Sequence, residues 1–66
     1  MLYINSAQPV WIYDVPGRLI KELSGIGLKV WNGTDIDNRP VVPGVYVIKI
    51  GAGKDAFTQK VVIIGR

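Results

Sequence analysis

Short runs of alternating apolar and polar residues, broken about every 8–12 positions by Gly, Pro, Asn or Asp, recur along this chain and predict strands joined by tight turns. The clearest run is 45–50, where Tyr46, Ile48 and Ile50 fall on one face and Val45, Val47 and Lys49 on the other. A strand end at Val30-Trp31, a polar turn over 32–39 and a Pro43-Gly44 corner precede it. Pro40 and Pro43 have no backbone donor and suit an edge or a connection, so the regular strand is expected to begin at Val45. Residues 51–55 read as a hairpin turn. The closing run 56–64 sets Phe57, Gln59, Val61 and Ile63 against Thr58, Lys60, Val62 and Ile64. Both of its faces become apolar toward the end, which predicts cover on both sides there.

The first half of the chain is read the same way. Residues 2–5 form a short apolar piece ended by a turn over 5–9, and Val10-Trp11-Ile12-Tyr13 is rich in β-branched and aromatic residues, as strands are. Asp14-Val15-Pro16-Gly17 closes that strand, with Pro second and Gly third in a predicted type II turn. Residues 18–23 return antiparallel. Their alternation is imperfect, because Leu19 and Leu23 share a face with Lys21 while Ile20 points the other way. Six residues, between Gly17 and the Ser24-Gly25 loop, are too few for a stable helix, so a bulged strand is expected. Residues 24–27 form a loop, and 28–31 a strand whose apolar positions are Leu28 and Val30. In the turn that follows, Asp35, Asp37 and Asn38 can bond nearby backbone amides, and Asn38 tolerates positive φ. Five to six short strands with no internal repeat or linker predict one domain over 1–66, a β-sandwich or a small barrel.

Composition narrows the chemistry. The chain has 66 residues, and a domain that small hides only about 60% of its unfolded surface. It holds no Cys and no His, which removes disulfides, thiol nucleophiles, Ser-His triads and the common zinc sites. Eight basic against five acidic residues give a net charge of +3. The basic residues (Arg18, Lys21, Lys29, Arg39, Lys49, Lys54, Lys60 and Arg66) are scattered singly, as edge guards are, with no run of the kind that binds nucleic acid. No apolar run approaches the roughly 18 residues of a membrane span. The start at Met1 lacks the basic and apolar regions of a signal peptide, and Met1 reads as the edge of a longer protein. The acids fall mostly in turn signals. Asp35 and Asp37 open a calcium-like loop that then fails, because Arg39, Pro40 and Tyr46 stand where an oxygen ligand, Gly and Glu belong. Gly51-Ala52-Gly53-Lys54 precedes a strand and so is no phosphate loop. Asn32-Gly33-Thr34 fits the short N-glycosylation pattern. Trp11, Tyr13, Trp31 and Tyr46 could form a stacking platform, but a thin sandwich needs at least two of them as core. No cofactor or metal is expected, and no enzyme.

Three motifs then carry a resemblance. The segment Val10-Trp11-Ile12-Tyr13-Asp14-Val15-Pro16-Gly17-Arg18-Leu19 resembles the "V-x-I-Y-D-x-x-G-R-L" hairpin of the C-terminal sorting domains of the type IX secretion system. Pro43-Gly44-Val45-Tyr46-Val47-Ile48-Lys49-Ile50 resembles their "P-x-G-x-Y-x-V-x-I" motif, with one residue fewer between Pro and Gly. The ending Phe57-Thr58-Gln59-Lys60-Val61-Val62-Ile63-Ile64 is similar to their "x-x-x-K-V-V-V" terminus. Trp31-Asn32-Gly33-Thr34-Asp35 is also similar to the immunoglobulin-like domain of the flagellar hook-capping protein, with Asn38 in place of that family's turn Gly. Members usually begin with an Asn-Pro segment and a first strand, for which only residues 2–5 remain here.

The resemblance implies a small immunoglobulin-like antiparallel β-sandwich of about six to seven short strands, lacking its first strand. It implies a signal at the end of a parent cargo protein, recognised by the translocon and sortase components at the outer membrane, in transit through the periplasm to the cell surface or medium. Its recognition motif would be Pro43, Gly44, Tyr46, Lys60, Val61 and Val62, and its turn motifs Tyr13, Asp14, Gly17, Trp31, Gly33 and Asp35. Gly44 also has a purely conformational role to play at the corner, and Tyr46 a core role with its hydroxyl at the rim. An unpaired sheet edge would be open to strand addition by a receptor or to a homodimer. The competing readings are an accessory immunoglobulin-like spacer or self-association module, and a small barrel binding single strands or glycans through Trp11 and Trp31.

Overall fold

The computed structural model describes residues 2–64; Met1, Gly65 and Arg66 lie outside them, and with them the readings made of Met1 and Arg66. The apolar runs become six strands: β1 (Leu2–Ser6), β2 (Val10–Asp14), β3 (Leu19–Leu23), β4 (Gly27–Trp31), β5 (Gly44–Ile50) and β6 (Phe57–Ile63). One sheet runs β3-β2-β5-β6, and β1 pairs with β4 in a second; all pairings are antiparallel. The chain is thus an all-β sandwich, four strands against two, and the barrel alternative falls away.

Period-two alternation decides what each strand buries. Val10 and Ile12 of β2 stand beside Ile50 and Ile48 of β5, and Tyr46 continues the same face. Together with Trp31 of β4 these make the buried core: Val10, Ile12, Trp31, Tyr46 and Ile48. Leu2, Ile4, Val61 and Ile63 pack around it from β1 and β6. The bulge expected in β3 is present. Ile12 pairs with Lys21 and Tyr13 with Leu19, which leaves Ile20 as the extra residue.

The structure corrects three local expectations. The reversal after β2 begins one residue early: the Gly17 amide donates to the Asp14 carbonyl and the Asp14 amide to the Arg18 carbonyl, each at 3.0 Å. The loop is therefore Val15-Pro16-Gly17, with Gly17 at φ +100° at its end. Asp14 accounts for the shift, since its carboxylate accepts the Arg18 amide at 2.7 Å and Arg18 Nε at 3.0 Å. In β4 the phase is inverted: Leu28 and Val30 point outward, and Lys29 and Trp31 inward. Burying the Trp31 ring outweighs the two aliphatic chains, and Lys29 complies by lining the core with its stem while its ammonium bonds the Ser6 and Gly27 carbonyls. Finally, the end of β6 is not covered on both sides, with Val62 and Ile64 exposed by 65% and 87%. Val62 lies on the outer phase of β6, which faces away from the two-stranded sheet, and among the described residues no third layer covers that side.

Ile12 sits fully buried on the central strand. Ile12→Ala is expected to destabilise by about 2–5 kcal/mol, enough to unfold most of a 66-residue domain in a urea titration at 37 °C. A loss under about 1 kcal/mol would contradict this core assignment.

Candidate functional site

The β5–β6 ribbon gathers the recognition motif except Pro43, which stands just before it. Its register sets Gly44 beside Ile63, Val45 beside Val62, Tyr46 beside Val61 and Val47 beside Lys60. Alternation then splits the recognition motif between two faces. Tyr46 and Val61 point into the sandwich, whereas Lys60 and Val62 stand exposed on the outside. Pro43 is an exposed corner residue, and Gly44 opens β5 at φ +157°, a positive value that glycine adopts without a Cβ clash.

Tyr46 is held at both ends. Its ring meets Trp31 edge-on, with centroids 5.7 Å apart and planes at 70°. Its hydroxyl donates to the Val42 carbonyl at 2.5 Å, across the Pro43-Gly44 corner. This is the kind of tie that tyrosine corners make in sandwich folds. Trp31 is likewise fixed, with Nε1 donating to the Thr34 carbonyl at 2.8 Å. The aromatic platform is consequently divided: Trp31 and Tyr46 are core, and Trp11 and Tyr13 are half-buried on the outer phase of β2. A site using Trp11 and Trp31 together has no common face to occupy.

The turn between β4 and β5 folds on Asp35. Its Oδ1 accepts the amides of Asp37 at 2.9 Å and Arg39 at 3.0 Å. Its own amide donates to the Arg39 carbonyl at 2.8 Å, and its carbonyl accepts the Asn38 amide at 2.9 Å with Asn38 at φ +63°. The Arg39 amide, first among several contacts, holds the Asp35 carboxyl below the usual carboxylate range by favouring its charged form. Sequence reasoning missed the residue that docks this loop. Lys21 Nζ donates to the Asp35 carbonyl and to Asn38 Oδ1, both at 2.9 Å, and to Thr34 Oγ1 at 3.3 Å. The candidate calcium carboxylates are otherwise engaged: Asp35 Oδ1 accepts the two backbone amides, and Asp37 pairs with Arg39 at 2.9 Å. The available signal was a lysine placed on β3 opposite Ile12, in the buried phase of the sheet. Among the described residues, no group of three or more acids could hold a metal.

Two openings collect the rest. Asp14, Asp35 and Tyr46 border a shallow pocket of about 250 Å³. Trp31, Gly33, Val61 and Val62 line a larger open cleft of about 520 Å³ between β1 and β6. The turn motif and the terminal motif, remote in sequence, therefore meet on one side of the sandwich. Gly17 stays apart, at the exposed tip of the β2–β3 hairpin.

Residues 1–64 match the family model described as "Secretion system C-terminal sorting domain", nearly the whole chain. No curated protein and no solved structure matches it.

Tyr46→Phe is expected to cost about 0.5–1.5 kcal/mol through the lost bond to Val42 while keeping the fold, as read by urea midpoints. The pH profile tests Asp35. Its folded pKa lies below the unfolded one, so its contribution is complete above the ordinary carboxylate range and is lost as pH falls through the lowered folded value. Asp35→Asn should flatten that acid limb of the stability profile; an unchanged slope would contradict the assignment.

Proposed function

This chain belongs to the family of secretion-system C-terminal sorting domains, and on that premise we propose that it directs a cargo protein through the type IX system across the outer membrane. The family is one of sorting signals, not of enzymes, and it implies a secreted or surface protein that meets the type IX machinery as part of its cargo. In the proposed pathway the folded domain crosses the periplasm with its cargo, is bound by the translocon, and is handed to the sortase components. The observation that carries the reading is the family match over residues 1–64.

The geometry supports a specific division of labour. Tyr46, Trp31 and Val61 hold the β5–β6 ribbon to the core, while Lys60 and Val62 are presented to a receptor on its outer side. Pro43 and Gly44 set the direction in which the ribbon leaves the turn. On this account the signal is a shaped, folded edge rather than a linear tag.

The test is a fusion of this chain to an inert periplasmic protein in a bacterium with a type IX system. Surface delivery is the expected result; retention in the periplasm would favour a spacer role instead. Lys60→Ala and Val62→Ala should each reduce surface delivery while the purified variants melt as the parent does, since both side chains are exposed. Export at the parental level from both variants would remove these residues from the signal.

A further inference from the structure

The sandwich is closed on one side and open on the other. β3 and β4 come together on the closed side. There the β3 edge is distorted by the Ile20 bulge, and Lys21 of the same strand ties down the turn at 34–38. The opposite side is bounded by β1 and β6, each of which has only one strand partner among the described residues. Between them lie two adjoining openings of about 520 and 350 Å³, which share Leu2 and Val61. The apolar part of their walls is Leu2 and Ile4 on one side, Val61 and Ile63 on the other, with Trp31 and Ile50, and Asn5, Asn32 and Gln59 add polar groups. Phe57 and Gln59 lie on the inward phase of β6 yet are exposed, because no strand stands opposite them.

We propose that this cleft is the docking site for one extended strand of another polypeptide, apolar at alternate positions and acidic between them. A free strand edge offers unpaired amides and carbonyls, which an incoming strand satisfies by main-chain bonds. Its inward side chains fill the cleft against Leu2, Ile4, Val61 and Ile63. Its outward side chains lie beside Lys60, with Lys49 further along the same outer face, so acidic residues complement them. A second copy of this chain fits less well. Antiparallel pairing of two β6 strands about their middle sets the two Lys60 side chains opposite or diagonal to each other, and each chain carries +3. The inference deepens the sorting-signal reading and rests on it for where the partner strand is met. A fusion reads export whereas a titration reads binding, so each can fail alone.

The titration uses a capped synthetic octapeptide alternating valine and glutamate, added to the isotope-labelled chain and followed by amide and methyl NMR. Shifts are expected along 57–63 and at the methyl groups of Leu2, Ile4, Val61 and Ile63. A matched peptide with lysine for glutamate should bind roughly two- to fivefold more weakly, the scale of a cross-strand charge pair. Lys60→Glu should reverse that order. Val61→Glu, which places a charge in the cleft, should abolish binding of the glutamate peptide. The proposal is overturned by the absence of shifts with the glutamate peptide, or by shifts confined to β3. It is equally overturned by a block-ordered peptide of the same composition binding as well, by indifference to peptide charge, or by a peptide-free dimer whose β6 amides are already protected from exchange.

Discussion

The edge-on contact between Trp31 and Tyr46 is what makes two sheets into one domain. Trp31 belongs to the two-stranded sheet and Tyr46 to the four-stranded one, and their rings meet at 5.7 Å in the middle of the core. The polar end of each ring is tied to a connecting segment: the indole to Thr34 and the phenol to Val42. One aromatic pair therefore sets the distance between the layers, anchors the 32–41 connection and fixes where β5 begins. In a chain without disulfide or metal, so much dependence on a single contact is what a thin core requires.

From that contact follows an asymmetry between the two sides of the sandwich. The two-stranded sheet meets β3 through β4 and leaves open clefts between β1 and the β5–β6 ribbon. The ribbon is thus gripped from below at Tyr46 and Val61 and left bare at Lys60, Val62 and its outer edge. The 32–39 loop is made self-sufficient by Asp35 and Lys21, so the docked turn places Gly33 beside the cleft without further core. The proposed sorting role calls for an accessible feature on a folded body, and this division is compatible with it.

Much of this was legible in the sequence, for identifiable reasons. Alternation in 45–50 assigned Tyr46 and Ile48 to the core, and a broken alternation at Ile20 disclosed the bulge. Asn38 announced its positive φ by residue type. What failed depended on contacts remote in sequence. The inward phase of β4 follows from Trp31 meeting Tyr46, which the local pattern of Leu28 and Val30 argues against. The bareness of Val62 follows from the absence, among the described residues, of a third layer over the outer face of the four-stranded sheet. Lys21 and Lys29 look like surface charges until the topology brings carbonyl groups to them. The meeting of Gly33 with Val61 and Val62 was hidden for the same reason.

In the proposed role, the bare side of β6 on a folded sandwich is what the export machinery touches. Site-specific photocrosslinking in a cell exporting a fusion of this chain reads that contact directly. A photoreactive residue at position 62, on β6, should yield adducts with an outer-membrane component, whereas one at position 22, on the far strand β3, should yield none. Adducts from position 22 alone, with export proceeding normally, would contradict the account.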